Sequence, residues 1–61
     1  MPVITIRAFE GRTVEQKRKL AKDITDAVVK DFKVEPDKVT INFFDMAKHN
    51  VAKAGKLFID P

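Results

Sequence analysis

Apolar residues open the chain with a period of two, switch to a period near 3.6, and then return to two. Val3-Ile4-Thr5-Ile6-Arg7-Ala8-Phe9 is rich in β-branched and aromatic residues, the composition of a strand. Ile4, Ile6 and Ala8 fall on one face, with Val3, Thr5, Arg7 and Phe9 on the other. Both faces carry apolar groups, so the strand is expected to be covered on both sides. Glu10-Gly11-Arg12 breaks the run, with Gly11 supplying the turn. Thr13-Val14-Glu15-Gln16 then matches a capping box, with Thr13 as N-cap and Gln16 three residues on. Leu20, Ile24, Ala27, Val28 and Phe32 recur at helical spacing and predict a helix over 14–31. Pro36, in the loop over 33–38, ends it.

Alternation resumes over 39–44, where Val39, Ile41 and Phe43 point one way and Thr40, Asn42 and Phe44 the other. Strand, helix and strand in this order predict an α+β fold, a β-α-β subunit whose two parallel strands are joined by a right-handed crossover. The tail from Met46 carries Ala52, Ala54 and Gly55 before a short apolar Leu57-Phe58-Ile59, which suggests a loop and a short hairpin-like extension. The whole of 1–61 is expected to form a single domain.

Size decides what such a unit must do. Chains of about 60 residues bury only about 60% of the surface that their unfolded form exposes, and usually need disulfides, a metal or association to be stable. This one has 61 residues, no cysteine and one histidine, which closes the first route and makes a structural zinc improbable. Two strands and one helix leave sheet edges and one sheet face unprotected. Homo-oligomerisation through shared sheets is therefore expected. No apolar run approaches the about 20 residues of a membrane span, and no signal peptide is visible, so a cytoplasmic protein is the expectation.

The formal net charge of +3 raises the question of nucleic acid. Lys17, Arg18, Lys19 and Lys22 form the only dense basic cluster, and acids interleave with it. Glu15 stands four before Lys19, and Asp26 four before Lys30, the favourable order for helix ion pairs. The cluster reads first as a solvated helix face and second as an attractor of small anions. Five phenylalanines look like core rather than stacking platforms, and no nucleic acid or membrane partner is expected.

Catalytic chemistry has few candidates. Serine and cysteine are absent, His49 stands alone, and Gly11 and Gly55 make no phosphate-cradling loop. The amino terminus is left. A small residue at position 2 permits removal of Met1, which would give Pro2 a free secondary amine. Apolar surroundings and nearby cations both disfavour an ammonium form, and Arg7 and Arg12 lie close along the chain. A neutral amine there could act as a general base, while an arginine fork binds a carboxylate. Proline as a rigid strand start is the plain alternative.

Pro2 behind Met1, Glu10-Gly11-Arg12-Thr13, Glu15-Gln16-Lys17 at the helix start and Asp45-Met46-Ala47-Lys48 together resemble the 4-oxalocrotonate tautomerase family. The resemblance runs from Pro2 to about Gly55. It implies a β-α-β subunit that dimerises into a four-stranded sheet, three dimers often making a hexamer. It also implies cofactor-free enol–keto tautomerisation of 2-hydroxydienoates and related enolpyruvates, with a small carboxylate as the partner molecule. Pro2 is then the acid/base, and Arg12 holds a substrate carboxylate. Two substrate-binding positions depart from the pattern: Thr40 stands where well-known members have a second arginine, and Val51 where they have an aromatic residue. These departures imply slow turnover of dicarboxylates and a preference for monoacids. Arg7 is expected in an interface ion pair. Decarboxylase, hydratase or dehalogenase chemistry would need an added acid, for which Asp45 is the candidate. Outside enzymes, the alternative is a non-catalytic binding module or an inactive subunit of a mixed assembly.

Overall fold

The computed structural model describes residues 1–61. Strand β1 spans Val3–Phe9, helix α1 Val14–Phe32, strand β2 Thr40–Met46, and the two-residue strands β3 and β4 cover Ala52–Lys53 and Lys56–Leu57. β1 and β2 are parallel neighbours, in register from Val3 opposite Thr40 to Phe9 opposite Met46. β3 and β4 form a separate antiparallel hairpin. The β-α-β unit with its C-terminal hairpin is thus the expected one. No helix is long and apolar enough to cross a membrane.

Local chemistry accounts for each boundary. The Thr13 hydroxyl accepts from the Gln16 N–H at 3.1 Å, while the Thr13 N–H donates to the Gln16 side chain at 2.9 Å. That reciprocal cap fixes where α1 starts. The helix runs one residue past expectation, to Phe32, because Lys33 adopts a left-handed conformation (φ 57°) and donates its N–H to Val29. Pro36–Lys38 forms a single 3₁₀ turn inside the expected loop. β2 begins at Thr40 rather than Val39, which closes that turn by donating to the Pro36 carbonyl, and it extends through Asp45 and Met46. Ala54 and Gly55 both have positive φ (54° and 78°), as a two-residue hairpin turn of the primed type requires.

The helix ion pairs differ from the expected ones. Glu15 pairs with Arg18, Lys19 with Asp23, and Lys22 with Asp26. Glu15–Lys19 and Asp26–Lys30 do not form, because Arg18 engages Glu15 and Lys22, one turn before Asp26, takes that carboxylate. The hydrogen bond to Asp26 holds the Lys22 ammonium above the usual lysine range. A raised lysine value acts only as pH climbs past that range, so it has no bearing near neutrality.

No residue of the lone chain is fully buried. Ile4, Ile6, Ala8, Ile41 and Phe43 are half-covered beneath α1, which turns Lys17, Ala21, Ile24 and Val28 towards them. The opposite sheet face is largely bare, with Val3 55% and Phe44 52% exposed, and only its C-terminal end at Phe9 and Met46 is half-covered. Coverage of both faces is therefore not met within one chain. Leu20, Ala27 and Phe32, expected in the helix's apolar stripe, stay exposed, since one helix on a two-stranded sheet has only one side to cover. The radius of gyration is 15.0 Å, where a compact chain of this length would have about 10.5 Å. Its surface of 5075 Å² likewise exceeds the about 4,000 Å² of a typical folded monomer of this mass.

If this chain, which has no interior of its own, takes its stability from neighbouring copies, its melting temperature should rise with protein concentration. Calorimetry over a hundredfold concentration range checks this, and a concentration-independent Tm would contradict it. Phe44→Glu, which sets a charge on the bare face, should shift sedimentation towards smaller species and lower Tm.

Candidate active site

The strand that starts at Pro2 also sets where Pro2 cannot reach. Pro2 is half-exposed at the head of β1, and its carbonyl accepts the Thr40 N–H at 3.0 Å. Thr40 is exposed, first in β2 and opposite Val3. Pro2 and Thr40 are thus neighbours at one end of the sheet. Arg12 lies beyond the other end. Seven strand residues at about 3.3 Å each put about 20 Å between those ends, far outside an arginine's reach. Arg7 also points elsewhere, its guanidinium 5.8 Å from the centre of the Phe44 ring. The expected cluster of Pro2 with Arg7 and Arg12 is therefore not formed within one chain. Proximity in sequence misleads here, because an extended strand converts every residue into distance.

Val51 sits half-exposed just after the 3₁₀ turn Lys48–Asn50, and its carbonyl accepts the Phe58 N–H at 2.9 Å. Phe58 in turn stacks obliquely on Phe9, with ring centres 5.1 Å apart. The hairpin is thereby tied to the C-terminal end of β1. The four candidate residues divide in two: Pro2 and Thr40 at one end, Arg12 and Val51 towards the other.

Arg12 is set by its neighbours in sequence. The Glu10 N–H donates to Met46 at 3.0 Å, extending the ladder to the last residue before the turn. Gly11 follows with φ 116°, a conformation that L residues rarely adopt. Thr13 then caps the helix. Arg12 is held between two fixed points and projects into a recess of about 100 Å³ lined by Ile6, Ala8, Leu20, Phe43, Lys17 and Asp45, among others. Ligand pockets typically run to about 300–1,000 Å³, so one chain's recess is too small to enclose a substrate. Arg12 has no ion pair or side-chain hydrogen bond.

Lys17 and Asp45 form an ion pair at 2.6 Å in the same recess. The pair was legible in part. Lys17 lies four, seven and eleven residues before Ala21, Ile24 and Val28, hence on the helix face that meets the sheet. Asp45, the candidate acid for water activation, is engaged by this lysine. His49 is exposed on the 3₁₀ turn. No cluster of histidine and acidic residues is arranged to hold a metal.

A family model describing tautomerase enzymes matches residues 2–60. The chain belongs to the tautomerase family. Its relatives include the 2-hydroxymuconate tautomerase of Bacillus subtilis, 38% identical over 60 residues that cover 98% of this chain and 97% of that one. A 4-oxalocrotonate tautomerase isozyme of Methylibium petroleiphilum superposes with a TM-score of 0.86 at 40% identity, covering 95% of this chain and 91% of its own. A heterohexameric 4-oxalocrotonate tautomerase of Chloroflexus aurantiacus superposes at 0.85 with 25% identity, over 98% and 97% of the two chains. This tautomerase is accordingly an isomerase of the same β-α-β build.

Gly11→Ala tests how the loop aims Arg12. Nothing lies within 4 Å of an added Cβ, so any cost is backbone strain, about 1–3 kcal/mol. Denaturant unfolding should register that loss. A variant as stable as the parent would show that the turn tolerates a side chain.

Proposed function

We propose that this tautomerase converts 2-hydroxydienoate or enolpyruvate-type carboxylates to their keto forms without a cofactor, at sites shared between chains. The observation that carries the reading is the separation of Pro2 from Arg12 across β1, about 20 Å by strand geometry. Two copies related by a two-fold axis, sheet edge against sheet edge, run antiparallel and bring the Pro2 end of one beside the Arg12 end of the other. The unpaired strand edges drive that pairing, and the bare sheet face and excess surface drive further packing of such pairs.

The chemistry follows from the groups assembled. With Met1 attached, the Pro2 nitrogen is an amide and has no basic lone pair, so the working chain lacks Met1. Its secondary amine takes the proton from the enol hydroxyl of the substrate. The O–H electrons form the carbonyl, the displaced π electrons take up a proton at carbon from the same prolinium, and the amine is regenerated. Nothing is oxidised or reduced. Arg12 of the facing chain grips the carboxylate through its planar fork and draws electron density towards itself. Thr40 beside Pro2 offers a neutral hydroxyl, and Val51 an apolar wall.

A charge-assisted hydrogen bond contributes about 1.5–3 kcal/mol, a neutral one about 0.5–1.5. Thr40 therefore holds a second carboxylate weakly, and monoacid enols should be better substrates than dicarboxylates. The same Thr40 and Val51 favour a second reading, an inactive subunit of a mixed assembly, of the kind suggested by the heterohexameric relative from Chloroflexus aurantiacus.

Subunit mixing distinguishes these. Mass-verified chain lacking Met1 is assayed for ketonisation of 2-hydroxymuconate and of a monoacid enol. Pro2→Ala and Arg12→Gln should each lose activity, the latter by about 10–100-fold in kcat/KM. Unfolded together and refolded, the two variants should recover about a quarter of wild-type activity if two-fold pairs form at random and each site uses one chain's Pro2 and the other's Arg12. No recovery would rule out the shared site. A wild-type rate no better than buffer on both substrates would leave the inactive-subunit reading standing.

A further inference from the structure

The recess that holds Arg12 holds one other cation and one carboxylate, and those two engage each other. Lys17 Nζ meets Asp45 Oδ2 at 2.6 Å, with the side chains only 28% and 46% exposed. The other three ion pairs join residues three or four apart within α1, and every side chain in them is more than half exposed. Lys17–Asp45 is the one pair that crosses from helix to sheet. Asp45 is also the single acidic residue lining the recess, and Arg12 has no anionic partner in it.

That arrangement is chemically biased. A guanidinium presents a planar fork matched to a carboxylate and is the stronger bidentate partner of the two cations available. An unclaimed Asp45 in the same recess would compete with a substrate for Arg12. Lys17 stands on the helix face turned to the sheet, one turn past the Thr13 cap, so its ammonium meets Asp45 from a fixed backbone position. We propose that Lys17 is a positioning residue that occupies Asp45 and so keeps the Arg12 guanidinium open for the substrate carboxylate. The inference rests on the reading of Arg12 as the carboxylate holder.

Kinetics of four variants on 2-hydroxymuconate, in mass-verified chain lacking Met1, test it alongside thermal melts. Lys17→Met frees Asp45 to pair with Arg12, and KM should rise about tenfold while kcat changes less than about threefold, the signature of lost ground-state binding. Lys17→Met/Asp45→Asn removes the competitor as well as the guard, and KM should return to within about threefold of wild type, a non-additivity that marks direct coupling. Lys17→Arg, which keeps the charge, should hold KM near wild type. Arg12→Gln should raise KM on its own.

A double variant as impaired in KM as Lys17→Met would overturn the proposal and leave the pair as a mere tie between helix and sheet. A normal KM in Lys17→Met would overturn it equally. A normal KM in Arg12→Gln would sink the carboxylate-holding role of Arg12 itself, and with it the need for a guard. Should Lys17→Met fail to fold, the double variant, which places a neutral amide at position 45, is compared with Asp45→Asn alone. Equal KM values then support the proposal, and a higher KM in the double variant refutes it.

Discussion

A strand, a helix and a strand enclose nothing. Two strands offer two faces and two edges, and one helix covers one face. Every energetic feature of this chain follows from that shortfall: no residue is fully buried, and large apolar groups such as Phe44 and Phe32 stand in the open. The apolar area needed to offset chain entropy exists in the sequence, but one copy has no means of removing it from water. Folding coupled to association is the expectation this shortfall sets up.

The same constraint shapes the site. Extended backbone is the longest way to arrange residues, so a proline at one end of β1 and an arginine past the other cannot converge in their own chain. Under the proposed reaction, which places an amine and a guanidinium on one small acid, the two groups come from different chains. The Arg12 end is fixed by the Glu10–Met46 ladder bond between the strands, the Gly11 turn and the Thr13–Gln16 cap, and the Pro2 end by the bond from the Thr40 N–H to the Pro2 carbonyl.

Local signals were well written in the sequence. The Thr13-x-x-Gln16 box, the period-two runs and Pro36 placed β1, α1 and most of β2, because each depends on a few adjacent side chains. Alternation alone places Val39 in β2 and stops at Phe44, short of Asp45 and Met46, since the 3₁₀ turn at Pro36 and the ladder bond at Glu10 are not visible as alternation. The tail's hairpin was legible through Ala54-Gly55. What resisted reading was spatial: the choice of Arg18 over Lys19 for Glu15, the bond between Lys17 and Asp45 across 28 residues, and the distance from Pro2 to Arg12. The first two are competitions among similar partners decided by three-dimensional placement, and the third follows from the extension of β1 rather than from residue type or spacing.

The length of β1 has a genetic corollary. In an assembly that takes its proline from one chain and its arginine from another, a duplicated gene can divide the labour. One copy is free to lose the basic amine and the other the guanidinium, and the pair together still retains half of its sites. Neither copy is then dispensable, and selection acts on their joint product. A strand of seven residues, by holding two groups apart, opens a route from a chain that works with itself to two chains that work only with each other.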